Sequence, residues 1–173
     1  MSTKWLWMTA ADLGRGIDAG KIHPMELTEA FLDAIASHEH GARIYSRTTP
    51  RRARSMAIAA ADRARSGQRI GLLDGVPISW KDLFDAAGAP CEAGSALLAG
   101  RVPQTDAEVL RVATAQGLVC LGKTHMSELA FSGLGLNPVT ATPPNVNDPG
   151  AVPGGSSSGA AASVAFGLAP AGI

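Results

Sequence analysis

The stretch PGGSSSGAAASVAFGLAP, Pro153 to Pro170, sets two glycines and three serines directly against an alanine-rich run. The residues Ala160 to Phe166 are small and apolar, and they predict a packed helix that starts after the serines. A serine at that point caps free backbone N–H groups. The same place favours developing negative charge. Three uses compete for the segment: a flexible linker, a phosphate cradle, or part of a serine-hydrolase site. A linker joins two folded units, yet only 14 residues follow Gly159.

Two pattern matches need testing against their mechanisms. Gly155 to Gly159 fits Gly-x-Ser-x-Gly with Ser157 at its centre, the strand-to-helix turn of α/β-hydrolases. That site takes an acid and a histidine from later in the chain, and no Asp, Glu or His follows Gly159. The stretch GLVCLGKT, Gly117 to Thr124, fits the phosphate-loop pattern. Its middle residues, Leu118, Val119, Cys120 and Leu121, predict a buried strand and not a loop that bares N–H groups. A helix also precedes the pattern where a strand belongs.

Working outward, hydrophobic residues make up 46% of the 173 positions and charged residues 17%, which excludes a disordered chain. Lys plus Arg and Asp plus Glu balance at 15 each, so net charge points to neither nucleic acid nor a membrane. The N-terminal apolar run is too short for a leader, and no stretch approaches the ~20 apolar residues of a membrane span. Cys91 and Cys120 lack metal-type spacing, which favours a reduced, cytoplasmic protein. Between Arg43 and Arg69 lie eight arginines and one acid, Asp62. We read this run as the solvated face of a helix in preference to a tRNA-facing patch.

Thr9 and Asp12 form a capping-box pattern before a short helix with Leu13 and Ile17 on one face. Pro24 opens a second helix striped by Leu27, Phe31, Ala34 and Ile35. A short strand is expected near Arg43 to Ser46. Pro50 opens a third helix, with Ala53, Met56, Ala57, Ala60 and Ala64 inward and Gly67 at its end. Val76 to Trp80 predicts a buried strand after the Asp74-Gly75 turn. Thr105 and Glu108 form a second capping box, with Val109, Val112 and Ala113 inward. Met126 to Phe131 predicts a short helix, and residues 133–153 a long loop. Interleaved helices and strands define an α/β class.

Lysine can activate a serine when it is neutral, and burial lowers its pKa. Lys81 follows the apolar strand VPISW, which delivers it to a buried rim. Three segments then stand in order: LDGVPISWKDLFDAAG (Leu73 to Gly88), GLVCLGKTHMSELAFSG (Gly117 to Gly133) and PGGSSSGAAASVAFGLAP. Together they resemble the amidase signature family of serine hydrolases, from about Leu73 to the end of the chain.

The resemblance implies an α/β fold with a mixed β-sheet flanked by helices. Residues 1–70 would form an N-terminal helical segment and 71–173 the first part of the core, with the C-terminal part of the domain absent. It implies a Ser–Ser–Lys arrangement that hydrolyses a carboxylic amide through an acyl-serine. Lys81 matches the general base. Ser156 matches the bridging serine, which lies at a non-proline cis peptide in the family, and Gly155 eases the crowding there. Ala130, Phe131 and Ser132 match positions lining the acyl pocket, and Gly155 joins them on the substrate side.

The family's nucleophile and oxyanion hole come later in a Gly-rich segment, expected beyond Ile173. Ser157, Ser158 and Ser163 stand too close to Ser156 to match it. The chain alone is therefore expected to be inactive. No metal or organic cofactor is implied. The expected partner is a small-molecule amide, with a homo-oligomer left open and no membrane. Three other readings stay open: the tRNA-amidotransferase component that shares these motifs, an inactive truncated fragment, and a short enzyme using Ser157 with Lys81. Nucleic acid enters only with the first of these.

Overall fold

A computed structural model describes residues 3–173; Met1 and Ser2, the first residues of the stretch read for a leader, lie outside it. After a 3₁₀ turn at Thr3–Trp7, Thr9 caps α1 (Ala10–Asp18). Its side chain accepts the Asp12 N–H at 3.1 Å and donates to the Asp12 carboxylate at 2.7 Å. Pro24, with a φ already suited to a first turn, opens α2 (Pro24–Ser37). A single turn, α3 (Gly41–Ile44), leads into β1 (Tyr45–Thr48). The strand thus begins two residues later than expected. The N–H groups of Arg43 and Ile44 are both held by the His40 carbonyl, at 2.9 and 3.0 Å, which keeps that stretch helical.

Next come α4 (Pro50–Arg65), β2 (Pro77–Lys81), α5 (Glu108–Ala115), β3 (Val119–Thr124) and α6 (Ser158–Ala165). Short 3₁₀ turns lie at Ala96–Leu98 and Glu128–Ala130. The strand order is β1-β3-β2, with β2 parallel and β1 antiparallel to β3, so the sheet is mixed. Alternation along β3 sends Val119 and Leu121 to one face and Cys120 to the other. The first face packs on Leu13, Leu27, Phe31, Ala53 and Ala57 from the N-terminal helices, and on Ala162 of α6. Burying a side chain such as Leu27 or Phe31, each fully buried, stabilises by about 1.5–3 kcal/mol. Trp80, Ile78 and Cys120 form the second face, covered by Leu110 of α5.

The start of α5 differs from the capping-box expectation. The helix starts at Glu108 with Ala107, not Thr105, at its N-cap, so Glu108 falls in the first turn and no side chain caps it. Val109 and Val112 are exposed, while Leu110 points inward with Ala113. Both pairs have the same i, i+3 spacing, so periodicity cannot choose between them; packing against Trp80 does.

Close backbone approach sets one residue in β3. A Cβ on Gly122 would lie 2.4 Å from the Arg47 carbonyl oxygen and 2.7 Å from Thr48 Cα. Only glycine lets β1 cross there. On the other edge, β2 exchanges hydrogen bonds with Ala171–Ile173. Ser79 N–H donates to the Ala171 carbonyl at 3.1 Å, and Ile173 N–H to the Ser79 carbonyl at 3.1 Å.

The turn before β2 is tied to α4 through Asp74, which is buried. Its carboxylate accepts from Arg63 Nε at 2.9 Å, from an Arg63 terminal nitrogen at 2.6 Å and from Ile70 N–H at 3.0 Å. Burial alone would raise its pKa; the Arg63 guanidinium and the Ile70 N–H outweigh that and hold it below the ordinary value. A depressed carboxylate stabilises fully above its unfolded pKa of about 3.9 and loses that contribution as pH falls through the folded value. Asp74→Asn is expected to destabilise by about 2–4 kcal/mol at pH 7. It should also flatten the loss of stability below about pH 4. Urea denaturation at neutral and acid pH checks both.

Candidate active site

Two neighbouring charges leave the end of β2 differently. The Asp82 carboxylate meets Lys123 Nζ at 3.1 Å, and both side chains are buried. Lys123 also donates to the Phe84 carbonyl at 2.5 Å, so its donors are used inside the fold. The lysine of the apparent phosphate loop is therefore a strand residue in a buried ion pair. Lys81 is left without a carboxylate partner among the described residues. Its Nζ reaches Ser156 Oγ at 2.6 Å. Only 6% of Lys81 is exposed, and desolvation lowers its pKa from the ordinary value. A lysine of this kind moves toward the neutral form that can accept a proton.

Ser156 comes to this point through the loop before α6. The Gly155-Ser156 peptide is cis. Ser127 N–H donates to the Ser156 carbonyl at 3.1 Å, and Ser127 Oγ donates to the Ser132 carbonyl at 2.8 Å. Ser127, fully buried, thus joins the Ser132 turn to Ser156. Sequence reasoning passed over it, since a serine in a turn after a strand carries no distinguishing pattern. The long loop crosses back here as well, with Gly154 N–H bonded to the Leu134 carbonyl at 3.1 Å. A Cβ on Gly155 would stand 2.6 Å from Gly135 N and 2.9 Å from Ser127 Oγ. Gly155 is therefore where two backbones touch.

The remaining expected site residues sit around this crossing. Leu129 and Ala130 both have positive φ, 49° and 60°, which non-glycine residues adopt rarely and mostly at functional turns. Ser132 Oγ accepts the Leu134 N–H at 3.2 Å. The Phe131 side chain is 94% exposed and is not brought to the Lys81–Ser156 pair. His125 is buried and its pKa is lowered by desolvation; its ring makes no hydrogen bond to any serine among the described residues. Ser157 stands at the N-cap of α6 without a side-chain capping bond.

Grooves of about 770 and 620 Å³ lie elsewhere, one along β1 and the start of α4, the other between Trp7, His38 and Phe166. Lys81 and Ser156 line neither. Among the described residues no cluster of three or more His, Cys, Asp or Glu is placed to hold a metal. No helix among them is long and apolar enough to cross a membrane. The arrangement provides a buried amine on a serine hydroxyl, next to a glycine-permitted backbone crossing. Such a pair has the geometry for proton transfer between amine and hydroxyl.

The Amidase family profile matches residues 26–173. A glutamyl-tRNA(Gln) amidotransferase subunit from Chloroflexus aurantiacus is 41% identical over 166 residues, which is 96% of this chain and 34% of that protein. The peptide amidase of Stenotrophomonas maltophilia superposes with a TM-score of 0.87 at 32% identity, over 97% of this chain and 36% of that one. A bacterial aryl acylamidase of the amidase signature family gives a TM-score of 0.81 at 29% identity, over 94% and 34%. The chain spans about a third of the length of these relatives. On its profile match and its likeness to solved amidases, the chain belongs to the amidase signature family.

Proposed function

We propose that this chain carries the base half of an amidase that cleaves a carboxylic amide through an acyl-serine. The observation behind this reading is the 2.6 Å contact of Lys81 Nζ with Ser156 Oγ, with the lysine desolvated and without a carboxylate partner among the described residues. In the reaction, neutral Lys81 accepts the proton of Ser156, and Ser156 takes the proton of the attacking serine. The attacking serine and the donors for the oxyanion are assigned to sequence following Ile173. The serine adds to the amide carbonyl, the C–N bond breaks, and the relay returns the proton to the departing amine or ammonia. Water then enters by the same relay and releases the acid. Ala130 and Ser132 belong on the acyl side, with Gly155 holding the backbone crossing open; the exposed Phe131 side chain is left out of that assignment.

A second reading has its own support. Curated relatives at about 40% identity include glutamyl-tRNA(Gln) amidotransferase subunits from Chloroflexus and Anaeromyxobacter. On that reading the amide is that of glutamine, and other subunits use the ammonia. The basic run adds little to it. Arg47, Arg52, Arg54, Arg63, Arg65 and Arg69 are paired with Glu92, Asp106, Glu29, Asp74, Asp62 and Asp18. Six of the eight arginines are thus neutralised within the chain, which leaves little field for tRNA.

In the protein continued through the codons after Ile173, Lys81→Met is expected to lower amide turnover by about 10²–10⁴-fold with folding retained, as read by circular dichroism. Turnover within threefold of the parent would remove Lys81 as the base. The 173-residue chain alone should hydrolyse no simple amide. Because Lys81 must be neutral, kcat/KM should rise with pH along a limb whose midpoint lies below the ordinary lysine value of about 10.4. Hydrolysis of peptide or aryl amides without partner subunits supports the first reading. Glutamine turnover that requires partner subunits supports the second.

A further inference from the structure

A second side-chain bond joins the elements that carry Lys81 and Ser156. Ser79 Oγ and Ser163 Oγ lie 2.8 Å apart, and both residues are fully buried. Ser163 Oγ also donates to the Ala160 carbonyl at 2.7 Å. A hydroxyl has one proton, so Ser79 is the donor within the pair. Ser79 stands two residues before Lys81 on β2, and Ser163 seven residues after Ser156 on α6. Among the described residues, the hydrogen bonds that join β2 to residues 156–165 are Lys81–Ser156 and Ser79–Ser163.

We propose that Ser79 and Ser163 are positioning residues whose hydroxyl pair fixes α6 against β2 and so sets the Lys81–Ser156 separation. An apolar contact at this place would keep the helix on the sheet but let it slide. A directional bond does not permit that movement. The space is confined: a Cβ on Gly172 would stand 2.6 Å from Ser79 Oγ and 3.1 Å from the Ala160 carbonyl oxygen. Misplacement of a reacting pair by about 1 Å is enough to cost about a hundredfold in rate. The inference rests on the reading of Lys81 and Ser156 as a proton relay.

The test is a titration of Lys81 by NMR in the chain with ¹³Cε-labelled lysine. The chain has four lysines, and Lys81→Met assigns the signal. Ser79→Ala, Ser163→Ala and the double variant are compared with the parent, together with their stability in urea. Ser163→Ala leaves the Ser79 hydroxyl buried without its acceptor and is expected to be the least stable. The double variant removes both polar partners and recovers most of that loss. The Lys81 midpoint is expected to rise in all three, with about tenfold less neutral amine at pH 8. A midpoint that returns to the parent value in the double variant, along with stability, would show a structural role only and overturn the inference. Unchanged midpoints in every variant would overturn it too, leaving the relay intact. An ordinary lysine midpoint in the parent chain would overturn the relay reading and this inference with it.

Discussion

The buried pair of Asp82 with Lys123 is the interaction on which the site depends. It takes up the acid that stands next to Lys81 in sequence. Had Asp82 faced Lys81, the ion pair would have raised that lysine's pKa and kept it protonated. With Asp82 engaged elsewhere, burial acts on Lys81 unopposed, and its direction is downward. The same pair makes β3 a strand with a satisfied lysine, so the Gly-Lys-Thr pattern carries no phosphate chemistry. One ion pair thus accounts for two features at the end of the sheet: Lys123 is buried against Asp82, and Lys81 is buried and inclined to lose its proton.

Geometry around Ser156 follows from small residues, not from strong interactions. Gly135 and Gly155 let two backbones meet; a Cβ on Gly135 would lie 2.0 Å from the Gly154 carbonyl oxygen. Gly159 lets α6 approach the end of β3, where its N–H bonds to the His125 carbonyl at 2.9 Å. These contacts hold the long loop, the serine segment and the sheet in one arrangement. The stretch after Gly154 is therefore no linker: its backbone is bound at Ser127, Leu134 and His125.

Much of this was legible in the chain. Helices α1, α2 and α4 were readable from Thr9, Pro24 and Pro50 at their starts and from regular apolar stripes. The Lys81 and Ser156 segments, 75 residues apart, were paired by resemblance, and the fold brings the two side chains into hydrogen-bond contact. The inward face of α5 was legible at Ala113 but not at Leu110, because Val109/Val112 and Leu110/Ala113 share one spacing. The start of β1 was hidden by a single helical turn held by His40. Ser127, Ser79 and Ser163 gave no local signal either; each matters through a partner distant in sequence or through a turn. The arginine run read as basic only because most of its acids, from Asp18 to Asp106, lie outside it.

The central proposal is that Ser156 relays a proton and is not itself acylated. The direct measurement is fluorophosphonate labelling of the protein continued past Ile173, followed by mass mapping of the modified serine. The expected result is a label on a serine beyond Ile173, with labelling slowed in both Lys81→Met and Ser156→Ala. A label on Ser156, Ser157 or Ser158, or labelling at the parent rate in both variants, would contradict the relay.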